Sequence, residues 1–437
     1  MTRTTSNTVT FDFQEHTLPN GLQVLALRDT SLPVVSFQIH FAAGSRNERP
    51  GITGISHLFE HMMFRGSKEL GPEEFSRIIQ ANGGSTNAFT TTDNTSYFEN
   101  IPAVKLELVM KLEAERLENL RITEESLTTE REVVRSERKY RSVNSPFGLV
   151  MEQLFAAAYH IHPYRWPVVG WDQDLRNLSL EDCLEYYRIH YAPNNAVIVM
   201  VGDLRPDDAL SLVEKYFGHL SSQPEPAGVQ AREIPQRGER RVLYKKVAQV
   251  PAFFTGFHVP GIGGQDIFSL LVLTSLLSHG KSSRFYQKFI KTGRAVEAEA
   301  DLGPPPFLTM DPGLLTIAVV ASPTEDVNVL EHDVWEEIDM VRNHLITMAE
   351  LEKSKKKLRS SYLMSLQTHF YKGIIAGLYR IRAGDHRWIN RIEPSYQAVT
   401  VDDLMDVAHR YLNEDNRTVV SLVPVSPEES EKWGEYE

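Results

Sequence analysis

The chain has 437 residues, with 46 Lys and Arg against 58 Asp and Glu, a formal net charge of −12 and 41% hydrophobic residues. That balance argues against a nucleic-acid partner, because phosphate binding needs a basic face; it is compatible with basic peptides, although acidic balance also simply keeps proteins soluble. The single cysteine, Cys183, excludes an intrachain disulfide and fits a reducing compartment. No apolar run approaches the ~20 residues that a membrane span needs, and the length predicts two cores of roughly 200 residues each.

The first ten residues, MTRTTSNTVT, are Thr-rich with one Arg and lack the apolar centre of a secretory signal. A cytoplasmic location is the default. The most chemically loaded stretch is His57-Leu58-Phe59-Glu60-His61. On an α-helix each residue turns about 100°, so His57 and His61 project from one face with Glu60 beside them. Leu58 and Met62 point elsewhere. Neutral imidazole is a good zinc ligand, and a catalytic zinc needs three protein ligands and an open position for water. Water bound there acidifies towards a pKa of ~7, and a nearby carboxylate that is not a ligand can take its proton and pass it to a leaving amine. Glu60 is placed for that role, in the order known as the inverted zincin signature. Gly51 and Gly54 precede the motif, which suits a helix packed closely against another backbone.

Further on, Asn82-Gly83-Gly84 is a turn signal, and NAFTTTDNTSYF is rich in strand-favouring Thr, Phe and Tyr. It reads as an edge that an extended peptide could join through main-chain hydrogen bonds, or as an ordinary polar hairpin. Residues 123–141, TEESLTTEREVVRSERKYR, read as a helix with Thr123 as N-cap and Glu124 and Glu125 at its positive start. Val133, Val134 and Glu137 lie within about 60° of Glu130 on the helical wheel, whereas Arg131, Glu132, Arg135 and Arg138 point away. Two acids therefore share the stripe that the valines mark as buried, where an unpaired carboxylate costs several kcal/mol. A metal, or arginines on a neighbouring helix, would remove that cost.

His160 and His162 in YHIHPYRWP, before a proline and with no nearby acid in sequence, read as loop structure rather than a second metal site. Cys183 in LEDCLEYY is expected to be a buried structural thiol on a helix. SSQPEPAGVQAREIPQRG has the Pro, Gly and polar content of a linker. PVVSFQIHFAAG at 33–44 is echoed by PAFFTGFHVPG at 251–261, each followed by a long apolar helical stretch, so the chain reads as one unit written twice. The second copy sets Leu271, Thr274 and Ser275 opposite His57, Glu60 and His61, and only the first copy can hold zinc. DLGPPPFL around 301–308 reads as a stiff connector, and KSKKKLR at 353–359 as a solvated helix face.

HLFEH, followed 76 residues after His61 by Glu137 in EREVVRSE, resembles the pitrilysin/insulinase metallopeptidases, especially the catalytic subunit of mitochondrial processing peptidase and its short bacterial relatives. PNGLQVLALRD, GGSTNAFTTTDNTSYFENIP, HPYRWPVVGW and YAPNNAVIVMVGD look like landmarks of the same family. The resemblance implies His57, His61 and Glu137 as zinc ligands, Glu60 as general base, Glu130 as the acid that supports the ligands from behind, and Asn87 and Ala88 on the edge strand where substrate binds. It also implies an arginine and a tyrosine seven apart in the second copy that contact substrate. Here Ile290 and Glu297 stand in their places within FIKTGRAVEAEA, with Arg294 the nearest substitute, so a sister subunit carrying the missing pair is expected.

The resulting expectation is an α+β fold of two tandem homologous domains, each a mostly antiparallel sheet packed with helices, forming half of a clamshell chamber. Residues 1–221 would be the zinc-bearing catalytic domain, 222–238 the linker and 239–437 the homologous domain without zinc ligands. The expected activity is a zinc-dependent endopeptidase for extended peptides. Two other functions stay open: a scaffold or core subunit that keeps the fold without the chemistry, and a zinc carboxypeptidase in which Glu60 is a ligand and His61 idle.

Overall fold

The computed structural model describes residues 10–145, 147–343 and 346–431; most of the Thr-rich start, residues 1–9, lies outside them. A first sheet of six strands comprises β1 (Gln14–Thr17), β2 (Gln23–Arg28), β3 (Val34–Phe41), β4 (Ser85–Thr90), β5 (Thr95–Pro102) and β6 (Ala196–Gly202), in the order β1-β2-β6-β3-β5-β4. Only β2 and β6 run parallel; the other pairs are antiparallel. Helices α1 (Ile55–Met62), α2 (Glu74–Ala81), α3 (Leu106–Asn119), α4 (Glu124–Arg138), α5 (Gly148–Ala158), α6 (Asp172–Asn177), α7 (Leu180–His190) and α8 (Pro206–Phe217) belong to this half.

The second half repeats the plan. Its strands are β7 (Arg240–Val247), β8 (Ala252–Val259), β9 (Ala295–Asp301), β10 (Gly313–Ala321) and β11 (Arg417–Val425), in the order β7-β11-β8-β10-β9, again with one parallel pair, β7 and β11. The echoed segments of the sequence are β3 and β8, the middle strands, and each leads into its apolar helix, α1 or α9 (Ile267–Ser278). Helices α10 (Val327–Arg342), α11 (Met348–Ser365) and α12 (His369–Ala383) then follow β10 as α3, α4 and α5 follow β5.

The halves exchange helices. α12 lies across β3 and β6 of the first sheet, and α5 lies across β7, β8 and β11 of the second. Val150 and Leu154 of α5 share a cluster with Ala252, Phe254, Val320 and Val420. On the other side Ile375, Ala376 and Tyr379 of α12 share a cluster with Leu25, Val197, Val199 and Val201. Two separate cores are therefore not what the chain builds: beside a core confined to the first half, the largest cluster draws on both halves.

This exchange explains β3. Val35, Phe37, Ile39 and Phe41 pack into the first half's own core, while Ser36, Gln38 and His40 alternate with them and are just as buried. An antiparallel strand with one polar face ordinarily turns that face to water; here α12 covers it. The polar groups satisfy one another instead: His40 Nδ1 lies 2.8 Å from Ser96 Oγ and its Nε2 3.0 Å from Gln38 Oε1, while Gln38 Nε2 donates to the Phe370 carbonyl at 2.9 Å. Arg382, buried on α12, donates to Asn94 Oδ1, Thr91 Oγ1 and the carbonyls of Pro306 and Leu308. Lys372 pairs with Asp29 across the same seam.

Burial lowers the His40 pKa to about 3, with the charge of Arg382 adding to the effect. Between pH 6.5 and 3 the unfolded chain therefore binds a proton at this position that the folded chain does not, and stability falls as pH falls through that window. At pH 5 the loss due to His40 amounts to about 2 kcal/mol relative to pH 8. Urea unfolding of wild type and His40→Gln at pH 8 and pH 5 checks it: the variant should lose that share of the pH dependence, and equal dependence in the two proteins would contradict it.

The linker stretch has neither helix nor strand from residue 221 to 237, yet it is docked: Glu233 accepts the backbone N–H groups of His160, Ile161 and His162 at 2.9, 2.9 and 3.0 Å. Cys183 is buried on α7, and burial pushes its thiol up to about 12. The basic run on α11 is not wholly solvated, for Lys355 is buried and donates to the Gln397 carbonyl at 3.0 Å, and Lys353 donates to the Ser282 carbonyl at 2.6 Å. Among the described residues no helix is long and apolar enough to cross a membrane.

Candidate active site

α1 is fixed at its start. Gly54, with φ +90°, precedes the helix, and a Cβ there would sit 2.5 Å from the Val169 carbonyl oxygen, so glycine lets the two backbones touch. Gly51 has open space beside it instead. The buried Glu48 carboxylate accepts the N–H groups of Gly54 and Ser56 at 2.8 and 2.9 Å, satisfying donors that every helix leaves free at its N-terminus. Asp174 on α6 accepts from Thr53 Oγ1 at 2.6 Å and from the Gly51 N–H at 3.2 Å. Ile55, Leu58, Phe59 and Met62 enter the first-half core, which turns His57, Glu60 and His61 towards α4 and β4.

α4 begins as expected, with Thr123 Oγ1 accepting the Ser126 N–H at 3.2 Å and Glu124 and Glu125 in the first turn. Its buried stripe holds Leu127, Glu130 and Val134. Two details differ from expectation. Val133 is 40% exposed, because the layer over α4 covers only the Val134 side. Arg138, expected to point away, is buried against Glu152 of α5 with contacts of 2.7 and 2.9 Å, since α5 packs back across the end of α4. Past Arg138 the chain turns through a single π-helical segment, residues 139–143.

The two helices bring His57, His61 and Glu137 together, with one ligating atom of each within 4.8 Å of the others, the one such group of three among the described residues. Glu137 Oε2 lies 3.3 Å from His61 Nε2 and 3.8 Å from His57 Nε2. The other Glu137 oxygen meets the Arg141 guanidinium at 2.9 Å. Glu130, fully buried, lies 3.4 Å from His61 Nδ1 and 2.5 Å from Arg65 Nε. Glu60 stays outside the group and accepts the Thr90 hydroxyl of β4 at 2.7 Å.

The electrostatics separate the two imidazoles. Burial lowers His57 to about 3, with His61 and Arg141 pressing the same way, and its Nδ1 is buried without a hydrogen-bond partner. His57 is thus held in the neutral form that binds metals. Burial also acts to lower His61, but the Glu130 carboxylate against its Nδ1 and the charges of Glu137 and Glu60 outweigh it, and its pKa rises. Burial raises the Glu60 pKa; Thr90 and His61 oppose the shift, and Glu137 adds to it.

Asn87 and Ala88 lie on β4, the terminal strand of the first sheet, Asn87 exposed and Ala88 packed against the motif-helix core. In the second half Ile290 closes a π-helical turn and Glu297 is exposed on β9, the strand that corresponds to β4. Arg294 is engaged within its own half, pairing with Glu325 at 2.6 Å and Asp333 at 2.5 Å. His160 and His162 form no such group, although an acid does stand near: His162 is buried 3.0 Å from Asp311, part of a seam in which Tyr164 donates to Asp93 at 2.5 Å and Arg46 meets Asp311 at 2.5 Å. Arg65, Arg141, Thr90, Glu48 and Asp174 escaped notice in the sequence. For the two arginines a signal existed, since each stands four residues after a site residue, one helical turn on.

Residues 23–170 match the family model of insulinase (peptidase family M16), and residues 177–358 match that of the peptidase M16 inactive domain. The second match begins inside the first half, for β6 at its centre follows residue 177. The chain belongs to this family of insulinase-type peptidases. It is 29% identical to the zinc protease PqqE of Helicobacter pylori over 93% of this chain and 92% of that protein, and 24% identical to the probable mitochondrial-processing peptidase subunit beta of Schizosaccharomyces pombe over 80% and 78%. The crystal structure of a protease from Helicobacter pylori superposes with a TM-score of 0.91 at 28% identity, covering 95% of this chain and all of that one. A peptidase M16-like structure from Alicyclobacillus acidocaldarius shares the fold, with a TM-score of 0.82 at 22% identity.

Proposed function

We propose that the chain is a zinc-dependent endopeptidase that cleaves extended peptides in an enclosed chamber, as the metal-bearing subunit of a heterodimer. The observation that carries this is the convergence of His57, His61 and Glu137 from two helices. Their donor set fits zinc: two imidazoles and one carboxylate, with His57 neutral and its buried nitrogen otherwise unpartnered. Zinc held there supplies Lewis acidity, polarising a carbonyl and making water a stronger acid.

The chain's own residues do the rest. β4 presents a free edge to which a peptide adds as one more strand, its affinity coming from main-chain hydrogen bonds beside Asn87 and Ala88. Glu60, buried and raised in pKa, takes the proton of the attacking water and returns it to the amine that leaves. Its bond to Thr90 ties the carboxylate to the strand that carries substrate. Glu130 orients His61 from behind, as an outer acid commonly does for a ligating histidine. Because Glu60 stays outside the group of three, the site supports this assignment over one in which Glu60 is a ligand and His61 idle.

Ile290 and Glu297 offer no arginine or tyrosine, and Arg294 is occupied, which supports a sister subunit that completes the substrate site. The one buried cysteine fits a cytoplasmic setting. The test is zinc analysis, native mass and peptide cleavage on the untagged protein and on His57→Ala and Glu137→Gln. Wild type should carry one zinc per chain and cleave internal bonds, with full rate only beside a sequence-related companion; both variants should lose metal and activity together. A metal-free wild type points to the scaffold function, and a lone chain as fast as the pair sinks the heterodimer.

A further inference from the structure

We propose that a row of aromatic rings on the face of β4 turned away from the motif helix is a second part of the substrate site, taking a large apolar or aromatic side chain of the bound peptide. This rests on the strand-addition mechanism above. Phe89 on β4 and Phe98 on β5 have ring centroids 6.3 Å apart. Phe307, from the proline-rich loop between β9 and β10, stands 5.9 Å from Phe89. At the other end Phe370, on the first turn of α12, stands 4.6 Å from Phe98, and Tyr371 5.1 Å from Phe370. These are the separations at which rings attract one another, yet none of the five is fully buried: Phe307 is 36% and Tyr371 41% exposed, and the other three are half-buried.

Strand geometry names the occupant. Thr86, Ala88 and Thr90 of β4 face the helices, where Thr90 donates to Glu60 and Thr86 to Glu99. Ser85, Asn87 and Phe89 face the other way, with Asn87 directly opposite Phe98 in the pairing register. A peptide lying along the free edge of β4 alternates in the same manner. Side chains on one set of positions point towards Glu60, and those on the other set fall beside Asn87, Phe89 and the ring row. In strand addition the main chain gives affinity and the pockets for alternate side chains give selectivity. A surface made of rings selects apolar and aromatic groups. Three of the five rings come from the second half, so that half contacts substrate even though Ile290 and Glu297 provide no clamp.

The experiment uses the full chain carrying Glu60→Gln, so that peptide binds without being cut, and a fluorescent decapeptide in which Phe replaces Ser at each position in turn. One alternate set of positions should favour Phe by about tenfold in Kd, the gain of one good ring contact. Adding Phe307→Ser or Phe89→Ser should bring that ratio close to one, with zinc content unchanged; Phe307 lies on an exposed loop, so its variant does not depend on core packing. Should both variants keep their zinc and the parent's preference for Phe, the row is no subsite and the inference falls while the peptidase mechanism stands. A protein that holds no zinc and binds none of the peptides overturns both.

Discussion

Glu60→Gln lowers peptide turnover by roughly 10²- to 10⁴-fold, the contribution of a positioned general acid–base, while leaving zinc bound. The amide has the shape of the carboxylate and can still accept the Thr90 hydroxyl that holds the side chain at 2.7 Å through its own carbonyl oxygen. What it cannot do is take a proton. It also removes a negative charge near His61, whose raised pKa leans partly on Glu60, but Glu130 and Glu137 remain against that ring. Metal content should therefore stay at the wild-type level, in contrast to the loss expected for His57→Ala. Single-turnover cleavage and zinc analysis on the same preparation separate the two effects. A variant that still cuts peptide at a tenth of the wild-type rate or better removes Glu60 from the chemistry.

Gly377→Ala destabilises the fold by ~1–3 kcal/mol, the range for overfilling a packed site, although alanine in a helix interior ordinarily stabilises by ~1 kcal/mol over glycine. The opposite sign is the diagnostic. A Cβ at Gly377 would sit 2.4 Å from the His40 ring and 3.1 Å from Val199. His40 cannot step aside, because Ser96 and Gln38 hold both its nitrogens, and Gln38 is itself bound to the Phe370 carbonyl. A Cβ at Gly373 would meet Gln38 at 2.5 Å, so the same helix face has no slack one turn earlier. α12 would have to lift off β3 and β6, carrying Phe370 and Arg382 with it. Urea unfolding measures the change, and a stabilised or neutral Gly377→Ala would show that α12 does not seat on the first sheet in this way.

The motif helix and the acid-bearing helix were readable from sequence because their signals are local. Two histidines four apart and two glutamates seven apart define faces through the helical period alone, and Thr123 announces a helix start through its own side chain. The duplication was readable for the same reason, as a repeated strand with a repeated apolar helix. What was not readable depends on which surface meets which. Ser36, Gln38 and His40 alternate with apolar residues along β3 and yet are buried, because α12 arrives from more than 300 residues away. Val133 and Val134 both lie within about 60° of Glu130 on a helical wheel, yet only Val134 is buried. Arg138 read as solvated until α5 supplied Glu152. Arg294, the nearest candidate for the missing clamp, could be set aside only once Glu325 and Asp333 stood beside it.

The mutual loan of α5 and α12 has the connectivity of a domain-swapped dimer, in which each protomer lends an equivalent element to the other across a two-fold axis. Here both protomers are one polypeptide, and the segment from 221 to 238 raises the effective concentration at which they meet while itself docking through Glu233. Neither sheet can finish its packing before the other half has emerged, so the two halves form one cooperative unit, and the helix pair that brings His57, His61 and Glu137 together stands on a sheet whose far face the second half closes.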